Sequence, residues 1–575
     1  MTTKKSFLPI FLILGLAGLL LLFPPSIRVQ QTTGTVIDLP PLADPPLFKP
    51  PNVDSFLANL GLTYRTRGLE AARALAQQRR MDIGADRVEI LAEAENFLTT
   101  GGAWANAQLA ELAAQALQLD IHRLGGQVLA TNCGWVEAAV PYSALDSLFL
   151  SPNLRYIRSP LRPVPQEVTS EGVQRVGAAL WQSQPSFHAT DPVKVAILDG
   201  GFKGYKSLLG NELPSQDKVT VRSFRSDGDI EAGSEHGAAC AEIVHDLAPE
   251  AQLYLVNFAD NLEHARAVSW LVNQNIQVIS YSMGWFNAGA GDGSGPICED
   301  VEAAAAAGII WAGSAGNYAI DHWEGTFSDT DGDGWNNFSG ADELLEFDVP
   351  AASDLGAFLN WDDWGTWNGR NYSYSGSNQD YDLYLYIWNS ALNTWDFVAR
   401  SIDPQTGRQW PVEELYYYHA PVRTQWGVAI YKAGATRNCK LELFLDRAGN
   451  VPIEYNVPEG SLAVPADSPS HVTAGATDWS DDSYHYYSSR GPTHDGRLKP
   501  IFAAPSGVST KTYGNGNFYG TSASAPHVAG AFALLLSRTP YTPEEVLDLL
   551  IPRALDLGPA GPDYQFGYGR LKLTR

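Results

Sequence analysis

Ser522 stands in the stretch Gly520–Gly530, GTSASAPHVAG, just ahead of an apolar run from Val528 to Leu536. That run has helical length and predicts a buried helix with Pro526 in its first turn. A serine at a helix start sits at the positive end of the dipole, beside N–H groups with no intrahelical partner. An oxyanion formed there would be stabilised. The same position also suits a plain helix cap. Nucleophilic chemistry therefore needs a base, an orienting carboxylate and a second oxyanion donor from elsewhere in the chain.

Three positions offer those groups. Asp199 ends the apolar run Val193–Leu198 and is followed by two glycines. A continuous apolar run marks a parallel strand covered on both faces, and the carboxylate falls at its C-terminal edge, where open α/β sheets place their sites. His236 opens a helix whose Ile243 and Leu247 share one face. Asn317 closes GSAGN after a strand from Ile309 to Ala312. Around them Leu253–Phe258 and Val278–Ser280 read as strands, and Leu262–Asn273 and Asp300–Ala307 as helices. That alternation predicts an α/β, doubly wound parallel sheet.

At 575 residues the chain has room for about three or four domains. A formal charge of −25 excludes a nucleic-acid surface and suits a cation-binding protein. Cys133, Cys240, Cys298 and Cys439 are too scattered for a zinc site or a disulfide framework, and one or two disulfides stay open.

VAILDGG, HGAACAEI, ISYSMG, AGSAGN and GTSASAPHVAG follow one another in the order of the subtilisin-like serine proteases. Together with YSSRGPTHDGRLKP at Tyr487–Pro500 they make the chain resemble the subtilase family over about 171–321 and 457–575. The resemblance implies a subtilisin-like fold and endopeptidase activity on proteins or peptides. It assigns Asp199 as orienting acid, His236 as general base, Ser522 as nucleophile and Asn317 as side-chain oxyanion donor. Ser282, Met283 and Gly284 would pair with substrate as an added strand, and Ser314, Ala315 and Gly316 would line the site.

Three positions depart from the pattern: Gly200 where Ser or Thr is commoner, Ile501 after the Lys-Pro pair, and Ala523 after the nucleophile. Cys240, one turn after His236, reads as a packing residue, and His245 and His527 as structural. Two rivals are an inactive scaffold, opposed by four filled catalytic positions, and an acid-acting sedolisin-type protease, opposed by the HGAA context of His236.

Ahead of this core, Lys4 and Lys5 precede an apolar run, Phe7–Phe23, which predicts an export signal or membrane anchor within residues 1–30. Residues 31–52 are a proline-rich linker, extended from Val36. Residues 53–165 predict a β-α-β-β-α-β, ferredoxin-like unit, its first helix marked by Leu109, Leu112, Ala116 and Leu119. This unit resembles the inhibitor-type propeptide of the subtilases, with its tail in the cleft around 158–171.

Residues 321–455 carry nine of the sixteen tryptophans. With strand-like runs at Tyr381–Trp388, Trp426–Tyr431 and Lys440–Leu445 they predict an inserted β-sandwich resembling a jelly roll, its aromatics filling the core. Asp329, Asp331 and Asp333 resemble half of a calcium (Ca2+) loop. Gly340 stands at the twelfth position, so Asp342 or Glu343 would have to complete it, with Asp380 and Asp382 as further candidates. The second part of the core, 456–575, ends with a capping box at Thr542–Glu545 that starts a helix to Leu550.

Overall fold

Alternate residues of the strand Lys194–Asp199 feed two different cores. Val195 and Ile197 pack into one, Ala196 and Leu198 into the other. Opposite burial at a period of two defines a strand covered on both faces. The computed structural model describes residues 28–30, 36–38, 52–78, 81, 84, 86–95, 107–132, 134–160, 164–165, 170–187, 191–368, 373–418 and 424–574.

The central strand belongs to a seven-stranded parallel sheet. Its order is Phe502–Ser506, His471–Asp478, Ile310–Ser314, Val278–Tyr281, Lys194–Asp199, Gln252–Asn257, Val219–Ser223. One face carries the helices Asn261–Val272 and Pro296–Ala306. The other carries His236–Leu247 and the long helix Thr521–Arg538, whose Phe532, Leu534 and Leu535 are wholly buried. Each such side chain contributes about 1.5–3 kcal/mol of burial. The two helices cross at Gly530, where a Cβ would lie 2.7 Å from that of Leu247.

The long helix corrects one expectation. It begins at Thr521, so Pro526 lies inside it and not in the first turn. Pro has no N–H, and the carbonyl it would have used, four residues back, is that of Ser522. Ser282 Oγ takes that carbonyl at 2.9 Å instead.

The N-terminal unit folds as a four-stranded antiparallel sheet ordered Gln127–Asn132, Trp135–Pro141, Arg87–Ala94, Leu154–Arg158. Its helix Ala107–Arg123 buries Ala114, Leu117 and Ile121, whereas Leu112 and Leu119 are exposed. Two apolar stripes at helical spacing compete here, and the sheet accepts the one ending in Ile121, which packs on Gly126. Val36–Asp38 pairs antiparallel with Arg28–Gln30. Residues 1–27, with the apolar run, and 39–51 lie outside the described residues. Among the described residues no helix is long and apolar enough to cross a membrane.

The insertion is a sandwich of two four-stranded antiparallel sheets. One holds His322–Thr326, Lys440–Arg447, Leu355–Trp361 and Val412–Tyr417, and the other Leu345–Val349, Thr424–Tyr431, Asp382–Asn389 and Thr394–Ser401. Trp323, Trp361 and Trp426 sit in its core, so these aromatics fill the interior as expected.

Candidate active site

Asp199, Ser282 and Asn317 come to the C-terminal edge of the parallel sheet, each at or just beyond the end of its strand. His236 arrives at the start of its helix and meets Asp199 there, with Nδ1 at 2.7 Å from Asp199 Oδ2. The other carboxylate oxygen accepts the Gly200 N–H at 2.8 Å. A backbone donor thus supports the carboxylate despite the missing hydroxyl at position 200. Both residues are fully buried. The approach depends on glycine at 237, where a Cβ would stand 2.7 Å from Gly201 O and 2.8 Å from Asp199 Cβ.

Ser522 lies in the first turn of its helix, where its N–H has no intrahelical acceptor. Its hydroxyl donates to Ser282 O at 3.2 Å, the reverse of the bond that Ser282 makes to it. Asn317 Oδ1 accepts from both Thr521 N, at 2.9 Å, and Thr521 Oγ1, at 3.0 Å. Those two bonds fix which end of the amide is oxygen and leave Nδ2 as the donor end. Thr521 Oγ1 also accepts from Gly316 N at 3.1 Å. Phe518 sets its ring edge-on to His236 at 5.8 Å. Sequence reasoning missed both Thr521 and Phe518, although the hydroxyl beside Ser522 was a readable signal.

Met283–Gly284 carries a paired strand: Val164–Pro165 lies antiparallel along it, Pro165 opposite Met283 and Val164 opposite Gly284. Ser314 is buried, and the backbone groups of Ala315 and Gly316 are engaged by Ala474, Ala463, Ser489 and Thr521. A cavity of about 580 Å3 opens beside the acid, between Glu89, Leu129 and Glu137 of the N-terminal unit and Gly200, Asp260 and Met283 of the core.

Cys240 is buried against the site, with Sγ 3.9 Å from Ser522 O. Burial, then the charge of Asp199, pushes its thiol well up, which makes it a packing residue. Cys298 and Cys439 are also buried free thiols, and Cys133 lies outside the described residues. Burial lowers His527 to about 4, and its Nδ1 faces Ala523 O at 2.7 Å. Burial also lowers His245.

In the insertion, ligand oxygens of Asp329, Asp331 and Asp333 lie within 4.8 Å of one another. Asp329 accepts Gly332 N and Gly334 N, which closes the loop. Asp342 instead accepts from Tyr455 Oη, Asp382 from Tyr384 Oη and Asp380 from Gln405 N. Glu343 is fully buried.

A family model described as the subtilase family matches residues 190–360 and 370–569, the stretches that build this site. The chain belongs to the subtilase family. Over 61 residues this subtilase is 48% identical to an extracellular serine protease of Serratia marcescens, covering 10% of this chain and 6% of that protein. Over 76 residues it is 42% identical to the minor extracellular protease Epr of Bacillus subtilis (strain 168), 12% of each. The chain thus spans a small part of the length of the curated relatives it matches. Among solved structures it is similar to the Clostridium perfringens CspB protease, at 15% identity and TM-score 0.45, over 66% of this chain and 93% of that one. It is likewise similar to fervidolysin from Fervidobacterium pennivorans, at 15% identity and TM-score 0.38, over 85% and 60%.

Proposed function

We propose that this subtilase is a serine endopeptidase made as a zymogen and working outside the cytoplasm. The observation that carries the reading is the buried Asp199–His236 pair at 2.7 Å, on the same sheet edge as Ser522 and Asn317. His236 would take the Ser522 proton as Oγ attacks the scissile carbonyl, then return it to the leaving amine, and water would hydrolyse the acyl-enzyme by the same route. Asp199 holds the imidazole in the tautomer that makes this transfer possible. Asn317 Nδ2 and the Ser522 N–H would receive the oxyanion, and removing one such donor typically costs about 10²–10³ in kcat.

A substrate strand on Ser282–Gly284 would place an N–H on Ser282 O, the atom that now accepts the Ser522 hydroxyl. Binding would then release that hydroxyl toward His236. The N-terminal unit is the proposed inhibitor, and the pairing of Val164–Pro165 with Met283–Gly284 supports a tail that occupies the substrate strand's place. The charge-then-apolar N-terminus and the extracellular relatives support export, with the apolar segment as a tether until processing. The convergence of Asp329, Asp331 and Asp333 fits a structural calcium ion, which would hold the loop closed.

Labelling with a fluorophosphonate probe tests the central assignment. Wild type should label and Ser522→Ala should not; equal labelling would sink it. Mass spectrometry should find processing between Arg158 and Lys194, dependent on Ser522.

A further inference from the structure

The insertion meets the core through a group of side chains that the proposed hydrolysis does not use. Glu324 lies on the strand that opens the insertion and is the direct cross-strand partner of Glu442. Like charges facing each other across an antiparallel pair repel unless something positive sits between them. His494, from the loop before Pro500 in the core, closes over the two carboxylates. Its Nε2 stands 3.2 Å from Glu442 Oε1 and 3.6 Å from Glu324 Oε2. All three ligand atoms lie within 4.8 Å of one another. Ligands about 2.0–2.1 Å from a tetrahedral ion are about 3.3 Å apart, so the measured edges suit such an ion.

The surrounding bonds orient these groups. His494 Nδ1 faces Ala290 O at 2.7 Å, so Nε2 is the ring atom directed at the carboxylates; the charge of Glu442 raises the ring to about 9, and a metal would displace the Nε2 proton. Wholly buried His322 repeats the arrangement, with Nδ1 at 2.5 Å from Val457 O and Nε2 at 3.3 Å from Glu442 Oε1. Asn360 Nδ2 donates to Glu442 Oε2 at 2.7 Å and fixes the plane of that buried carboxylate. Two ring nitrogens thus face one carboxylate oxygen, Glu442 Oε1. Lys440 Nζ holds Glu324 Oε2 at 2.6 Å from a half-exposed side chain, so a metal bound at that oxygen would displace it to water.

We propose that Glu324, Glu442 and His494 bind a divalent transition metal of the zinc class, with His322 behind Glu442 as its orienting partner. The imidazole nitrogen favours such a metal over calcium. Two ligands come from the insertion and one from the core, so the ion would clamp the sandwich beside the substrate cleft.

The test titrates the full chain, stripped of metal, with zinc by calorimetry and with cobalt by absorption. Wild type should bind one more equivalent of zinc than His494→Ala or Glu442→Gln, and zinc should raise the melting temperature of wild type alone. Asp199, His236 and Cys240 also lie within 4.8 Å of one another and form a competing group. Binding there would give a sulfur-to-cobalt charge-transfer band, whereas the proposed site should give tetrahedral cobalt bands without it. Equal stoichiometry in wild type and His494→Ala, or cobalt spectra showing only the thiolate band, overturns the proposal. The cobalt spectrum of wild type decides the matter even if both variants fail to fold.

Discussion

Ser282 and Ser522 exchange two hydrogen bonds, each hydroxyl donating to the other's carbonyl, at 2.9 and 3.2 Å. The first bond exists because Pro526 leaves the Ser522 carbonyl without its helical donor. Replacing Ser282 with Ala would leave that buried carbonyl only the weak Cys240 thiol at 3.9 Å, at a cost of about 1–3 kcal/mol. Ser282→Ala should therefore lower the midpoint of a urea melt. It should also lower kcat, because the turn that presents Ser522 loses its tether.

On the proposed assignment, Thr521 acts on the oxyanion through Asn317. Without its hydroxyl the Asn317 amide keeps one of its two anchoring bonds and is held less firmly. Thr521→Val should cost roughly tenfold in kcat with KM unchanged, against about 10²–10³ for Asn317→Ala. Steady-state kinetics on a peptide substrate checks this, and a rise in KM with unaltered kcat would contradict it.

The grip of the N-terminal unit should depend on pH. Glu89 and Glu137 face Asp260 and Glu263 of the core, with Arg225 as the nearby cation. Burial, then the charge of Glu89, raises Glu137 to about 8, and burial, then Asp260, raises Glu263 to about 7. Raised carboxyl values mean that the assembled state prefers the protonated form. The contribution is full below the ordinary value of 4.5 and is lost as pH rises through about 7 to 8. After processing, the two parts should co-elute on gel filtration at low pH and separate above it. Glu137→Gln should hold them together at both.

Calcium should stabilise the chain through the Asp329 loop. An ion at a hundred times its Kd adds about 2.7 kcal/mol, and each kcal/mol shifts the Tm of a domain of this size by about 2–4 °C. Calcium added to the metal-free chain should raise the melting temperature of wild type by several degrees and leave that of Asp331→Asn unchanged. An equal rise in both would place the ion elsewhere.

What was legible in the sequence was local. Asp199, His236, Asn317 and Ser522 each sit in a short motif whose strand end or helix start is written in adjacent residues. Thr521 on Asn317 and Phe518 on His236 are tertiary contacts, the first across 204 residues; the hydroxyl beside Ser522 was readable, its partner was not. Pro526 misled because proline suits the first helical turn, whereas here a side-chain hydroxyl replaces the donor it lacks. In the sandwich, Tyr381–Trp388 was readable, but His322–Thr326 (HWEGT) has no alternation and shows as a strand only through its pairing with Lys440–Arg447.

The position of the sandwich also sets an order in time. A ribosome makes Asp199, His236 and Asn317 first, then the whole insertion, and Ser522 only afterwards. On the proposed assignment, a nascent chain therefore carries acid, base and amide donor for some 204 residues of synthesis without its nucleophile. Throughout that interval it is unable to cut itself or its neighbours.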